Sequence, residues 1–352
     1  MEPGPTKYGG ATYRPTAVAA ETTTDHIRWA DMTVSPPSPA PDDAATAPVG
    51  DGWRCTPGVD GTAIAWRCDA PAAGATRTPV VLCNGIACST DYWTAMAAEL
   101  ATDRPVLQWD YRGHGRSDAP ARPDATTVDD LVADLAAVLE AAGTDRAVLV
   151  GHSFGVQVVL EAARRLPPST VAAVVAVAGA AGAPLPRGTT RPRIGPLELM
   201  ARVHDRRPER AGDAWRAWWR SPVPHMLARA IGGTSAAAPR AVMTSYYEHV
   251  STRDIGVLVA MLRAMQHHDA SDVVPDLQVP LLALAGDADQ LTPVPVMAGL
   301  ALAAPDGELA VCHGATHTLP AERPDWVVAQ LGPLLQRTDT GHRPSLPVAT
   351  PA

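Results

Sequence analysis

Ala147-Val148-Leu149-Val150-Gly151-His152-Ser153-Phe154-Gly155, continued by Val156 to Arg165, is the stretch on which the reading of this chain turns. Its four leading apolar residues are what a strand buried on both faces requires. Val156 to Arg165 then reads as a helix. Between them stands G-x-S-x-G. The turn is so tight that side chains at the glycine positions would clash, and its strain lifts the Ser153 hydroxyl clear of the sheet. It also sets the Phe154 N–H at a helix N-terminus, where negative charge is stabilised. Gly and Ser are common loop residues, so the motif alone is weak. The strand before it and the helix after it give it weight.

Working outward, Val80–Cys83, Val106–Trp109, Val171–Val177, Leu281–Ala285 and Leu309–Cys312 are apolar runs of the same kind, expected to be parallel strands covered on both faces. A hairpin is expected first, with strands Trp53–Thr56 and Thr62–Arg67 around Asp60-Gly61. Thr127 to Ala142 places Leu131, Leu135, Val138 and Leu139 on one helical face, with Thr127 and Asp130 as a capped start and Gly143 as a stop. This alternation predicts an α/β fold with a mostly parallel central sheet flanked by helices. No strand-like run interrupts Val177 to Leu281. The interval holds an Arg- and Pro-rich stretch (Arg187 to Arg210), a Trp-rich helix (Asp213 to Arg220) and helical segments through Met265, so it predicts a helical insertion over the end of the sheet. The expected division is a flexible tail over 1–50, core over 51–185, helical cap over 186–272, core over 273–337, and a second flexible tail over 338–352.

A serine hydroxyl needs a base, and the base needs a carboxylate to orient it. Leu281–Ala285 runs into Gly286-Asp287-Ala288-Asp289-Gln290-Leu291-Thr292-Pro293, and Leu309–Cys312 into His313-Gly314-Ala315-Thr316-His317. An acid and a histidine therefore leave successive strand ends on the same edge as Ser153, in the order Ser, Asp, His. The residues alone leave Asp287, Asp289 and Asp110 open as the acid and both histidines open as the base.

Further motifs narrow the choice. Asn84-Gly85-Ile86 follows the first buried strand, Asp110-Tyr111-Arg112-Gly113-His114-Gly115-Arg116-Ser117 follows the next, and Gly286, Asp289, Thr292 and Pro293 form G-x-x-D-x-x-T-P. With the elbow at Ser153, the chain from about Trp53 to Gln336 resembles the α/β-hydrolase superfamily, in its cap-bearing serine hydrolase group of esterases and lipases. The resemblance implies Ser153 as nucleophile, Asp289 rather than Asp287 as acid, and His317, followed by Glu322-Arg323-Pro324, rather than His313 as base. It implies the N–H groups of Phe154 and Ile86 as an oxyanion hole, and a carboxylesterase-like activity needing no cofactor. Other chemistry on the same triad (C–C bond, lactone, amide or thioester cleavage, acyl transfer, perhydrolysis) and an idle ligand-sensing fold remain alternatives. Asn84 departs from the His usual at its position. A serine nucleophile argues against haloalkane dehalogenase and epoxide hydrolase, which use a carboxylate.

Asn84, His152, Trp215, Trp218 and Trp219 are candidate pocket residues. The three tryptophans stand at i, i+3 and i+4, which suits either packing within their own domain or a pocket roof. Met200, Met226, Met243, Met261 and Met265 add apolar surface to the same region, so the expected partner is a small acyl substrate with an apolar moiety. His313 and His317 have a spacing seen in metal sites but no helix to align them, and no metal is expected. His267-His268-Asp269 reads as a polar helix end, and His114 and His152 as turn or pocket-rim residues. Nine Arg against Glu198, Asp205, Glu209 and Asp213 between Arg187 and Arg220 make either a solvated face or an attraction for anionic or amphipathic molecules, a membrane surface included.

With 352 residues, the chain has the length of one large α/β enzyme carrying an insertion. Apolar residues at 46% against 19% charged exclude wholesale disorder. The 29 basic and 37 acidic side chains leave a net charge of −8, which argues against nucleic acid as partner. All basic residues but Lys7 are Arg. Cys55, Cys68, Cys83, Cys88 and Cys312 form no C-x-x-C pair. Cys55 and Cys68 flank a turn and could bridge, but free thiols are expected. A charged start followed by an apolar stretch is missing from the N-terminus, and Val171 to Pro184 is too short to span a bilayer, so a cytoplasmic protein without stable membrane insertion is expected.

Overall fold

Every apolar run found in the sequence is a strand. The computed structural model describes residues 47–50, 52–71, 77–122, 126–182, 202–204 and 206–340. Its strands are β1 (Ala47–Gly50), β2 (Trp53–Pro57), β3 (Ala63–Asp69), β4 (Val80–Cys83), β5 (Val106–Trp109), β6 (Ala147–His152), β7 (Val171–Val177), β8 (Leu281–Gly286) and β9 (Gly307–Cys312). They form one nine-stranded sheet in the order β1-β2-β3-β5-β4-β6-β7-β8-β9. The pairs β1–β2, β2–β3 and β3–β5 are antiparallel and all others parallel.

Period-two alternation sorts the strand side chains into two cores. Val81, Cys83, Leu149, Val174 and Ala176 face one side, where α2 (Val128–Ala141), α3 (Gly155–Arg165) and α8 (Val294–Ala303) supply Leu131, Leu135, Val156, Leu160 and Met297. Val80, Leu82, Val148, Val150, Val175 and Val177 face the other, met by Met96 and Leu100 of α1 (Thr94–Leu100), Leu319 of α9 (Leu319–Glu322) and Val327, Leu331 and Leu335 of α10 (Pro324–Asp339). Each Val, Leu or Met among them contributes about 1.5–3 kcal/mol by leaving water. The expected start of α2 is present: the Thr127 side chain accepts from the Asp130 N–H, and Asp130 Oδ2 accepts from the Thr127 N–H at 2.8 Å. Gly143 follows with a left-handed φ of 62°.

Three expectations are corrected. β1 lies inside the stretch expected to be a tail, because its backbone pairs with β2. α10 runs past 337 to Asp339, whose carboxylate accepts from Arg104 and from the Thr78 N–H at 2.9 Å. β9 is not covered on both faces: it is the sheet edge, and Leu309 and Val311 stay 39% and 42% exposed. Cys55 lies opposite Ala65 and Cys68 opposite Leu107, so they do not face each other, and all five cysteines are free.

Between β7 and β8 the described residues form no strand, and their longer helices are α4 (Pro208–Arg220), α5 (Val223–Ala230), α6 (Arg240–Thr252) and α7 (Ile255–His267). Of the Arg- and Pro-rich stretch from 187 to 210, residues 187–201 and 205 lie outside the described residues. α7 ends at His267 as expected, and His268 Nε2 meets Glu161 Oε2 of α3 at 3.3 Å. No described helix is long and apolar enough to cross a membrane.

The strand order places the functional loops. The chain steps from β4 to β5 on one side and to β6 on the other, so the carboxyl ends of β4 and β6 flank the point where the sheet changes direction, the usual ligand crevice of such folds. Cys83 pairs with Gly151, which sets the Asn84-Gly85-Ile86 loop level with G-x-S-x-G. Gly286 pairs with Cys312, so the Asp289 and His317 loops leave the sheet together.

Candidate active site

Ser153 tops the turn between β6 and α3 with φ 54°, a left-handed conformation that costs a non-glycine residue about 1–3 kcal/mol. Its neighbours must be bare for the turn to close. A Cβ on Gly151 would lie 2.4 Å from the Gly155 carbonyl oxygen, and one on Gly155 would lie 2.4 Å from that of Cys83. The Ser153 N–H donates to the Val177 carbonyl at 3.0 Å, pinning the strained residue to β7.

Residues far apart in the chain meet at its hydroxyl. His317 Nε2 lies 2.9 Å from Ser153 Oγ, and His317 Nδ1 lies 2.9 Å from Asp289 Oδ2. The Asp289 carboxylate also accepts from the N–H groups of Leu291 (2.8 Å) and Thr292 (3.0 Å) and from Thr292 Oγ1 (2.6 Å). Burial pushes its carboxyl up, but His317 and the Thr292 bonds outweigh that and hold it below the usual aspartate range. The carboxylate is thus ionised and fixes Nδ1 as the protonated nitrogen. Nε2 is left with a lone pair directed at the hydroxyl, an arrangement able to take its proton.

The N–H groups of Phe154 and Ile86 have no hydrogen-bond partner among the described residues. A Cβ on Gly85 would come within 3.3 Å of Ser153 Cβ, so the Gly85-Ile86 backbone passes directly beside the serine. The Phe154 ring is buried in the core, which leaves only its backbone to face the site.

The competing candidates are engaged elsewhere. Asp287 holds His313 Nδ1 and the Gly314 N–H at the surface, where the His313 side chain is 98% exposed. Asp110 is buried and accepts from the N–H groups of Thr90 (3.1 Å) and Arg116 (3.0 Å), which ties its loop to the segment after β4, away from His317. His114 is a buried turn residue, its Nδ1 3.1 Å from the Arg112 carbonyl.

The pocket candidates divide. Asn84 is fully buried, with Nδ2 donating to the Trp109 carbonyl at 3.0 Å and Oδ1 accepting from Trp93 Nε1 at 2.7 Å; it holds up the loop from below and does not line a pocket. His152 is buried too, stacked on Tyr92 at 5.0 Å, and its Nε2 donates to the His317 carbonyl at 2.9 Å. It steadies the His317 loop rather than meeting solvent. Trp215 and Trp219 pack with Tyr246 over Ile86 and Ala87, and Trp215 Nε1 donates to the Val250 carbonyl at 2.8 Å. Trp218 points away and is 45% exposed, because one position along a helix turns a side chain by about 100°. Met243 and Met261 are buried, Met226 is exposed, and Met200 lies outside the described residues.

Tyr92 beneath His152, and Gly232, whose carbonyl accepts from the His317 N–H at 3.1 Å, belong to the site and were not foreseen. Both contacts are long-range and carry no local sequence signal.

The family model for the alpha/beta hydrolase fold matches residues 78–324. This chain belongs to that family. Among individual members, it is 29% identical over 235 residues to a non-heme chloroperoxidase of Streptomyces lividans, covering 66% of this chain and 81% of that one. The likeness to RutD of Caulobacter segnis is confined to 85 residues at 36% identity, 24% of this chain and only 31% of that protein. The crystal structure of an esterase of Rhodococcus sp. ECU1013 superposes with a TM-score of 0.63 and 25% identity, covering 81% of this chain and 98% of that one.

Proposed function

We propose that this hydrolase cleaves a carboxylic ester of a small molecule through an acyl-enzyme on Ser153. The unbroken hydrogen-bonded series from Asp289 through His317 to Ser153 carries the reading. Ser153 Oγ attacks the ester carbonyl carbon while its proton passes to His317 Nε2. The carbonyl oxygen becomes an oxyanion and accepts from the Phe154 and Ile86 N–H groups, each worth roughly 3–4 kcal/mol in comparable sites. His317 then protonates the leaving alkoxide oxygen as its bond to carbon breaks. Water, deprotonated by His317, attacks the acyl-enzyme carbonyl; the acid leaves as its bond to Ser153 Oγ breaks, and His317 returns the proton to Oγ. Asp289 holds the imidazole and offsets the positive charge it carries in between. The steps balance without metal or organic cofactor.

The helices over the site act as its cap in this reading. Trp215, Trp219 and Tyr246, packed over Ile86 and Ala87, put an aromatic wall beside the oxyanion donors, which favours an apolar acyl group. The test is labelling by a fluorophosphonate probe with the modified residue read by mass spectrometry, together with kcat/KM across aryl esters of rising acyl length. Ser153 is expected to carry the label, and Ser153→Ala or His317→Ala to lower kcat by about 10⁴-fold or more with the fold kept. Folded wild-type protein that takes no label refutes the reading.

The match to the Streptomyces chloroperoxidase favours one second reading, interception of the same acyl-enzyme by hydrogen peroxide to give a peracid. A peracid yield that rises with peroxide and vanishes in Ser153→Ala supports it. Hydrolysis alone at every peroxide concentration dismisses it.

A further inference from the structure

Glu322 takes no part in the series from Asp289 to Ser153, yet four donors converge on its buried carboxylate. Oε2 accepts from the Thr316 N–H at 2.8 Å. Oε1 accepts from Thr316 Oγ1 at 2.6 Å, from Thr318 Oγ1 at 2.8 Å and from the Ser235 N–H at 2.9 Å. Burial pushes the carboxyl up, but these bonds outweigh it and hold the group below the usual glutamate range, so it is charged at neutral pH.

The identity of the donors gives the arrangement its meaning. Thr316 and Thr318 are the two chain neighbours of His317. Ser235 lies in the segment of the helical insertion between α5 and α6. The same segment makes further contacts beside the histidine: the Gly232 carbonyl accepts from the His317 N–H at 3.1 Å, and Thr318 Oγ1 lies 3.2 Å from Thr234 Oγ1. Gly232, with φ 61°, sits where a Cβ would be 2.3 Å from the Ala288 carbonyl, so the segment also presses on the loop that carries Asp289. An amide cannot satisfy the same set: the threonine hydroxyls can turn to accept, but in either orientation the NH₂ faces a backbone N–H, that of Thr316 or that of Ser235.

We propose that Glu322 is a positioning residue, a single buried carboxylate that fixes both neighbours of His317 and fastens the Gly232–Ser235 segment of the insertion to them. The seating of the insertion and the placing of the imidazole at Ser153 are then set by one group. This role rests on the hydrolase reading for its effect on turnover, but not for its effect on the imidazole.

The experiment compares Glu322→Gln with wild type at a temperature where circular dichroism shows both folded. Expected are a fall in kcat for a short aryl ester of about 10- to 100-fold with KM within about twofold, and a parallel fall in the rate of fluorophosphonate labelling. In proton NMR, the far-downfield imidazole proton of the Asp289–His317 bond should shift or broaden. Thr318→Val removes one donor and arbitrates if Glu322→Gln does not fold: about a 3- to 10-fold fall in kcat is expected, restored by Thr318→Ser. A purely structural Glu322 would lower the melting temperature and leave kcat and the imidazole proton as they are, and that result in the folded variant overturns the proposal. The NMR signal needs no turnover. An inactive, unlabelled wild type whose imidazole proton is still disturbed by Glu322→Gln overturns the hydrolase reading and sustains the positioning role.

Discussion

Asp287 and Asp289 stand two positions apart on one loop, and their surroundings assign them different work. Asp287 is solvated and faces the exposed His313. Asp289 is enclosed, and the N–H groups of Leu291 and Thr292 aim its carboxylate at His317 Nδ1. An asparagine at 289 can present its NH₂ to Nδ1 and stabilise the opposite tautomer, whose Nε2–H cannot accept the serine proton. Asp289→Asn is therefore expected to lower kcat by about 10³- to 10⁴-fold with little change in KM, and Asp287→Asn to stay within about twofold of wild type. Steady-state kinetics on one ester checks both, and equal losses would discredit the choice of acid. Asn84 calls for another measurement. Asn84→Ala strands the Trp93 indole N–H and the Trp109 carbonyl in a dry core, so denaturant titration should show a loss of about 1–3 kcal/mol.

The elbow works as a unit because three backbone segments press together with no room for a methyl group. Gly155→Ala would thrust a Cβ to within 2.4 Å of the Cys83 carbonyl and 2.8 Å of that of Asn84. Those atoms begin the loop that carries the Ile86 N–H, so a variant that still folds is expected to lose kcat by about 100-fold, because donor and hydroxyl no longer meet. A folded Gly155→Ala protein with wild-type kcat would mean that the two loops need not touch. This closeness also accounts for what could be read in the sequence. β4, β6, β7 and β8 are buried on both sides, so their apolar runs are unbroken and visible, and glycines at 151 and 155 mark a constraint that local sequence can show. β1 was invisible: Pro48 and Gly50 have no strand pattern, and only pairing with β2 makes them one. The exposed side of β9 and the outward turn of Trp218 depend on what packs beside them. Glu322 appeared in the sequence as a marker for His317 because its partners at 235, 316 and 318 come together only in the folded chain.

Across the chain as a whole, the buried histidines set the acid limit. His114 donates its Nδ1–H to the Arg112 carbonyl, and His152 its Nε2–H to the His317 carbonyl, because a carbonyl can only accept. The other ring nitrogen of each is buried without a partner, so both rings are neutral. Burial is the main cause of their depressed pKa values, about 4 for His114 with Arg253 adding repulsion, and about 3 for His152 with His317 adding more. The half-buried His249 is pushed to about 3 in the same way. Below the ordinary histidine value of 6.5 the unfolded chain takes up protons that the folded one refuses, so stability is full above that pH and falls as pH drops toward the folded values. Each fully buried ring contributes a slope of about 1.4 kcal/mol per pH unit, so His114 and His152 together give roughly 3 kcal/mol per unit near pH 5. Glu161 acts later: burial raises its carboxyl, but His268, Arg164 and Arg165 pull it down to about 2, and its contribution is lost only below its ordinary value of 4.5. Urea titrations between pH 7 and pH 5 should therefore show a steep loss of unfolding free energy. His114→Asn keeps a donor for the Arg112 carbonyl while removing the titrating ring, and should flatten the slope by about 1.4 kcal/mol per pH unit. Stability unchanged over that range in wild type, or an undiminished slope in folded His114→Asn, would show that these rings are not held neutral.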